Sequence, residues 1–128
     1  DNRFKEFDWW LFSKIDESLD EVYIPYYNPN VNEISRFYPD FIFWLKKGDN
    51  YFIVFVDPKG TEHPGWADKL NGYRKIFEEN YKEINYNGVM VKVKLAFISK
   101  DASIVQQRFP DHSKYWFDNI EKMLEVMA

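Results

Sequence analysis

The feature that most constrains this chain is a turn. Lys47-Gly48-Asp49-Asn50 separates two apolar runs that fill the stretch from Phe41 to Val56. Gly48-Asp49 is a two-residue hairpin signal, with glycine supplying the positive φ that a type I′ or II′ turn requires. A turn centred between residues 48 and 49 sets Lys47 opposite Asn50, Phe43 opposite Val54, and Asp40 opposite Asp57. Directly opposed side chains lie about 4.5–5.5 Å apart at Cβ, and like charges placed there destabilise a sheet. A divalent cation held between the two carboxylates offsets that repulsion. Lys59, two residues past Asp57, returns to the same face by strand alternation. Two carboxylates and an ammonium at one end of a hairpin have the make-up of a metal-dependent hydrolytic site. An odd-numbered loop would shift the register by one residue and separate the acids.

Around this hairpin, read as strands over 36–46 and 50–58, the pattern alternates helix and strand. Phe4, Phe7, Leu11 and Ile15 recur at helical spacing, predicting a first helix from Arg3 to Leu19. Glu21 to Tyr27 alternates and is rich in aromatic and β-branched residues, which predicts a strand. Asn28-Pro29-Asn30 is turn chemistry, and Gly60 to Gly65 is a loop. Ala67 to Lys82 reads as a helix with Leu70, Tyr73, Ile76 and Phe77 on one face. Asn85 to Gly88 is a turn, Val89 to Ser99 a strand, and Phe109 to Ser113 a break. Tyr115 to Met127 closes the chain as an amphipathic helix. The expected class is α/β (α+β), in the order α-β-β-β-α-β-α.

At 128 residues the chain is one domain, long enough to bury roughly two thirds of its unfolded surface. With 20% aromatic and 45% hydrophobic residues, a dense core is expected. No apolar run reaches the roughly 18 residues of a membrane span, and no signal segment is evident. The absence of cysteine excludes disulfides and thiolate metal sites. These features together lead us to expect a cytoplasmic protein with no membrane association. The chain opens on Asp1 rather than Met and reads as a piece cut from a longer polypeptide.

Each candidate site residue also has a plainer reading. Asp40 after Pro39 suits a turn; Asp57-Pro58 suits a strand end, since proline donates nothing to a ladder; Lys59 suits a salt bridge. Convergence of the three is what favours a site. Lys69 and Tyr73, four apart on the expected helix, share a face and serve either as a DNA contact or as core plus solvated rim. Lys92 and Lys94 alternate onto one strand face, as a DNA-facing stripe or a solvated one. The Trp9-Trp10 pair reads as packing. His63 beside Glu62 suggests a zinc ligand, but one further histidine and no cysteine make zinc a poor fit.

The runs Phe12-Ser13-Lys14-Ile15-Asp16-Glu17, Val22-Tyr23-Ile24-Pro25-Tyr26-Tyr27, Phe37-Tyr38-Pro39-Asp40-Phe41 and Asp57-Pro58-Lys59-Gly60-Thr61-Glu62-His63 carry a wider likeness. Asp40, Asp57 and Lys59 resemble the motif of the PD-(D/E)XK, or restriction endonuclease-like, nuclease superfamily. The surrounding runs, from about Phe12 to Glu79, resemble the C-terminal nuclease domain of type III restriction enzyme cleavage subunits and related helicases. The resemblance implies an αβββαβ core with a mixed central sheet, plus a C-terminal helix. It implies Mg²⁺, with Mn²⁺ as a substitute, held by Asp40, Asp57 and the Pro58 carbonyl. Lys59 would orient or deprotonate the attacking water, or stabilise the charged transition state.

By the same resemblance the substrate is double-stranded DNA and the activity that of a restriction endonuclease. ATP would act only in motor domains elsewhere in the parent chain, and a methyltransferase modification subunit would be a partner. Lys69 and Tyr73 are similar to a Gln-xxx-Tyr pattern of some exonuclease branches, with lysine in place of glutamine. Many members place a third acid on the first helix; Glu6, Asp8 and Glu17 are candidates and none is assigned. Seventeen Lys and Arg against twenty-one Asp and Glu give a net charge of −4, acidic for a free-standing DNA binder. Delivery of DNA by motor domains would account for that. Two other readings remain: a degenerate nuclease fold kept for DNA binding or assembly, and a small structural domain whose acids are surface groups.

Overall fold

The hairpin forms around Gly48, whose φ of 61° is left-handed. In the computed structural model, which describes residues 9–16, 22–59 and 65–127, β4 (Phe41–Lys47) pairs antiparallel with β5 (Asn50–Pro58). Lys47 faces Asn50 and Phe43 faces Val54, the register that a two-residue loop dictates. The strand expected to begin at residue 36 instead breaks: Phe37 ends β3 (Glu33–Phe37) and β4 begins only at Phe41. Pro39, fully buried, lies in the break, where a residue without an N–H cannot continue a ladder.

β2 (Ile24–Asn28) pairs only with β3, as a two-stranded ribbon apart from the main sheet. The helix expected over Arg3–Leu19 does not form in its described part. Trp9–Lys14 is β1, antiparallel to β4. Trp-Trp-Leu-Phe is a β-favouring run, and pairing against a ready apolar neighbour overrides a helical spacing.

Past the site, α1 (Trp66–Arg74) continues as a π turn over Lys75–Asn80. It leads to β6 (Ile84–Tyr86), which had read as turn and loop. Asn87 (φ 53°) and Gly88 (φ 82°) reverse the chain into β7 (Val89–Ile98). The expected closing helix over Tyr115–Met127 is three elements: a 3₁₀ turn Pro110–Tyr115, a short β8 (Trp116–Phe117), and α3 (Ile120–Met127). A further helix, α2 (Ala102–Arg108), precedes them.

The result is a mixed α+β fold around a sheet ordered β1-β4-β5-β7-β6. β5 and β7 run parallel, joined through α1, while β6 and β8 share the far edge of β7 at its two ends. Alternation sorts the core into two layers. Ile42, Phe55, Leu95 and Phe97 pack with Trp66, Leu70 and Tyr73 of α1 and with Trp116. Leu45, Val54, Val56 and Ala96 pack with Met123 and Leu124 of α3. The β2–β3 ribbon lies against α1 at Gly72, where a Cβ would sit 2.5 Å from Tyr26 Cβ and 2.6 Å from the Pro25 carbonyl oxygen. Among the described residues no helix is long and apolar enough to cross a membrane.

Candidate functional site

Alternation along β5 puts Asp57 on the α1 side of the sheet with Phe55, and it is buried, with 3% of its surface exposed. Burial, the largest cause, raises its pKa above the ordinary carboxylate value. Lys59 opposes that shift and the nearby charge of Asp40 adds to it. Asp40 sits one step beyond the β4–β5 ladder. Its main-chain N–H donates to Asp57 Oδ1 at 3.0 Å, and its carbonyl accepts from Ile15 N–H at 2.8 Å. The backbone of Asp40 thus ties the end of β1 to the end of β5, and its carboxylate stays at the exposed rim.

Lys59 Nζ lies 2.8 Å from Asp57 Oδ2. This ion pair is the contact made by the buried Oδ2, while Oδ1 is taken by the Asp40 N–H. Pro58 closes β5, opposite Ile98 of β7, and the Lys59 N–H donates to the Ile98 carbonyl at 3.0 Å. That bond fixes where the Lys59 side chain leaves the sheet.

Sequence spacing grouped Lys69 with Tyr73, and the fold separates them. Lys69 turns toward the acids: its Nζ lies 5.2 Å from the centre of the Phe37 ring, and Lys59 Nζ lies 5.8 Å from the same ring. Burial, then the neighbouring Lys59 charge, lowers the Lys69 pKa, while Asp57 and Asp40 pull it back up. Tyr73 is buried, and its hydroxyl donates to the Val93 carbonyl at 2.9 Å. It presents no surface to a ligand beside Lys69.

The site is therefore Asp40, Asp57, Lys59 and Lys69 around the Phe37 ring. Phe37 was legible only as part of an aromatic run; its place beneath two neighbouring ammonium groups depends on the β3–β4 break. Glu6, Asp8, Glu17, Glu62 and His63 lie outside the described residues. Among the described residues no three His, Cys, Asp or Glu side chains cluster as a metal site; a site of two carboxylates and a carbonyl lies below that number. A cleft of about 790 Å³ between the β2–β3 ribbon and α1 includes none of the site residues.

The model of the YagJ family matches residues 1–121. The chain belongs to the YagJ family. No curated protein and no solved structure matches it. In this YagJ-family chain the site brings two carboxyl groups together with two ammonium groups. Its oxygens are hard donors suited to Mg²⁺ or Ca²⁺. Its two ammonium groups suit an anion.

Proposed function

We propose that this domain is a Mg²⁺-dependent DNA endonuclease module with a restriction endonuclease-like core. The observation that carries the reading is the buried carboxyl of Asp57, set beside Asp40 and paired with Lys59. Burying a carboxylate is costly unless its charge is used or balanced. The strand order supports the same reading: an antiparallel β1-β4-β5 unit, then α1, then a parallel β7, with the acids where β5 ends.

Asp40, Asp57 and the Pro58 carbonyl would hold the cation. It would supply Lewis acidity toward the phosphodiester and a more acidic bound water. The chain's own residues do the rest. Asp57 Oδ1 is fixed by the Asp40 N–H, so the carboxylate is already oriented. Lys59 is held beside Asp57, where its ammonium can orient a water or meet the charge of the reacting phosphate. Lys69, next to Lys59 over the Phe37 ring, would bring a second positive charge to the same anion. In the parent protein, motor domains would consume ATP and deliver the duplex, and a methyltransferase subunit would accompany them, as in type III restriction enzymes.

A second reading has one observation in its favour. Lys59 and Lys69 already balance the two carboxylates, as in a nuclease fold retained for DNA binding or assembly. Cleavage of duplex DNA by the full-length protein in Mg²⁺ or Mn²⁺ separates the two. Asp57→Ala and Lys59→Ala should each abolish cutting while sparing ATP hydrolysis; undiminished cutting by either variant would sink the nuclease assignment. A wild-type protein that neither cuts nor binds Mn²⁺ through Asp40 would establish the retained-module reading.

A further inference from the structure

Among the described residues, β7 is the one strand of the main sheet paired in two separate pieces along one edge. β6 covers residues 89–91 and β8 covers residues 97–98, leaving Lys92 to Ala96 without a strand neighbour on that side among the described residues. A cleft of about 320 Å³ opens there. It straddles the edge, with Tyr73 lining it from one face of the sheet and Met127 from the other.

Four lysines line this cleft: Lys82, Lys92, Lys94 and Lys114. They come from three segments of the chain: the link into β6, β7 itself, and the 3₁₀ turn. Lys92 and Lys94 share a face because they are two apart on a strand. Lys82, Lys94 and Lys114 are exposed and Lys92 is half-buried. Among the described residues Lys82, Lys92 and Lys94 have no ion-pair partner, and only Lys114 reaches a carboxylate, Glu78, at 3.7 Å. Glu78 is itself shared with Arg74 at 3.6 Å and with the Tyr115 hydroxyl. Four cations thus face one already engaged carboxylate, in a chain whose net charge is −4. Charges gathered within a Debye length of about 8–10 Å repel one another, so the cluster works against the isolated fold. An extended polyanion reverses that sign, and lysines are the usual contacts to phosphate backbones, read without regard to base sequence.

We propose that this lysine-lined cleft along the open edge of β7 holds the phosphate backbone of duplex DNA. The proposal rests on the nuclease reading for its choice of polyanion. The register relates the cleft to the acid cluster: Lys94 lies opposite Val54, three residues before Asp57. That is roughly 10 Å of strand, or about three base-pair steps along a duplex. Lys92 and Lys94 are on the opposite face from Asp57, so a duplex meets both by lying across the β7 edge rather than flat on either face.

The test is fluorescence anisotropy of a short labelled DNA duplex with the full chain, in Ca²⁺ to support binding without rapid cutting. The double variant Lys92→Glu/Lys94→Glu should weaken binding at least about tenfold at 0.1 M salt. The neutral pair Lys92→Gln/Lys94→Gln should lower the log–log salt slope by about 2, with an unchanged unfolding midpoint. A control of equal charge change at the hairpin turn, Lys46→Glu/Lys47→Glu, should stay within about twofold of wild type, because it lies away from the cleft. Equal weakening by control and cleft variants, or an unchanged affinity and salt slope in the cleft variants, overturns the proposal. The Asp57→Asn variant keeps the two claims apart. If it still cuts DNA while the cleft variants fail to bind, the acid site falls and the cleft stands. If it binds but does not cut while the cleft variants bind normally, the reverse holds.

Discussion

Two buried side chains patch gaps in the main sheet, and they do so with different chemistry. Tyr73 fills the gap along β7: its hydroxyl donates to the Val93 carbonyl, and the Leu95 main-chain amide faces the same oxygen. Asp57 fills the gap past the end of β4, accepting the Asp40 N–H. A sheet edge needs only a polar partner, and the neutral hydroxyl of Tyr73 meets that need. Burial holds the Tyr73 pKa well above its ordinary value, so the group stays neutral. At Asp57 an asparagine oxygen would accept the same bond without a buried charge. The carboxylate, with the lysine it requires, exceeds what the backbone demands. That excess favours the proposed ligand role for Asp57, whereas Tyr73 meets only the needs of the fold.

The most decisive way to break the comparison is Asp57→Asn. The amide keeps the acceptor for Asp40 and removes the charge. DNA cleavage should fall by at least about a thousandfold, while the folded structure persists by near-UV circular dichroism. A variant that cuts normally would reduce Asp57 to a second Tyr73.

Gly72→Ala tests what both patches share. α1 carries Tyr73 toward β7 and Lys69 toward the acids, and it is seated on Tyr26 and Pro25 through the missing side chain of Gly72. A methyl group there meets main chain as well as side chain, so α1 or the β2–β3 ribbon must shift. A loss of about 1–3 kcal/mol or more is expected in urea unfolding. The Lys69 contact to Phe37 should loosen with it. A variant as stable as wild type would mean that the ribbon yields freely and α1 is positioned from elsewhere.

Tyr73→Phe keeps the ring and removes the patch. The Val93 carbonyl loses its partner in a buried place, at a cost of about 1–3 kcal/mol. Cleavage per folded molecule should be unchanged. A fall in cutting rate with stability preserved would move Tyr73 into the site beside Lys69, as their spacing on the helix first suggested.

That spacing shows where sequence reasoning succeeds and where it stops. The β4–β5 hairpin was legible because Gly48-Asp49 fixes a local register, and the positions of Asp40, Asp57 and Lys59 follow from it by alternation alone. Lys69 and Tyr73 were legible as a pair, but not that they part toward different neighbours. Their directions depend on where Phe37 and β7 lie, which is long-range packing. β1 was misread as helix because Phe4, Phe7, Leu11 and Ile15 satisfy a helical period. Only the pairing with β4, about thirty residues on in the chain, decides for a strand. The elements after Ile98 were misread for a related reason. Trp116 and Phe117 continue an amphipathic pattern, yet the free edge of β7 recruits them as a strand. Neither the ribbon β2–β3 nor the break at Pro39 has a local signal strong enough to locate the Phe37 ring beside the two ammonium groups.

The smallest effect is the most specific to the charge itself. Burial raises the Asp57 pKa above its unfolded value of 3.8. A carboxyl whose folded pKa is raised binds its proton more tightly in the native state. Its contribution to stability is therefore fully present below the unfolded pKa and is lost as pH rises through the folded value. The amide of the Asp57→Asn variant does not titrate, so the pH dependence of the difference between variant and wild type is that of Asp57. Measured by urea unfolding from pH 3.5 upward, the stability of Asp57→Asn relative to wild type should rise with pH. It should level off once Asp57 is ionised in the native protein. Tyr73→Phe should show no such trend over the same range, because the hydroxyl it removes is neutral in both states. A difference between Asp57→Asn and wild type that falls with pH would mean that Lys59 outweighs burial, making Asp57 a salt-bridge anchor whose charge the fold itself requires.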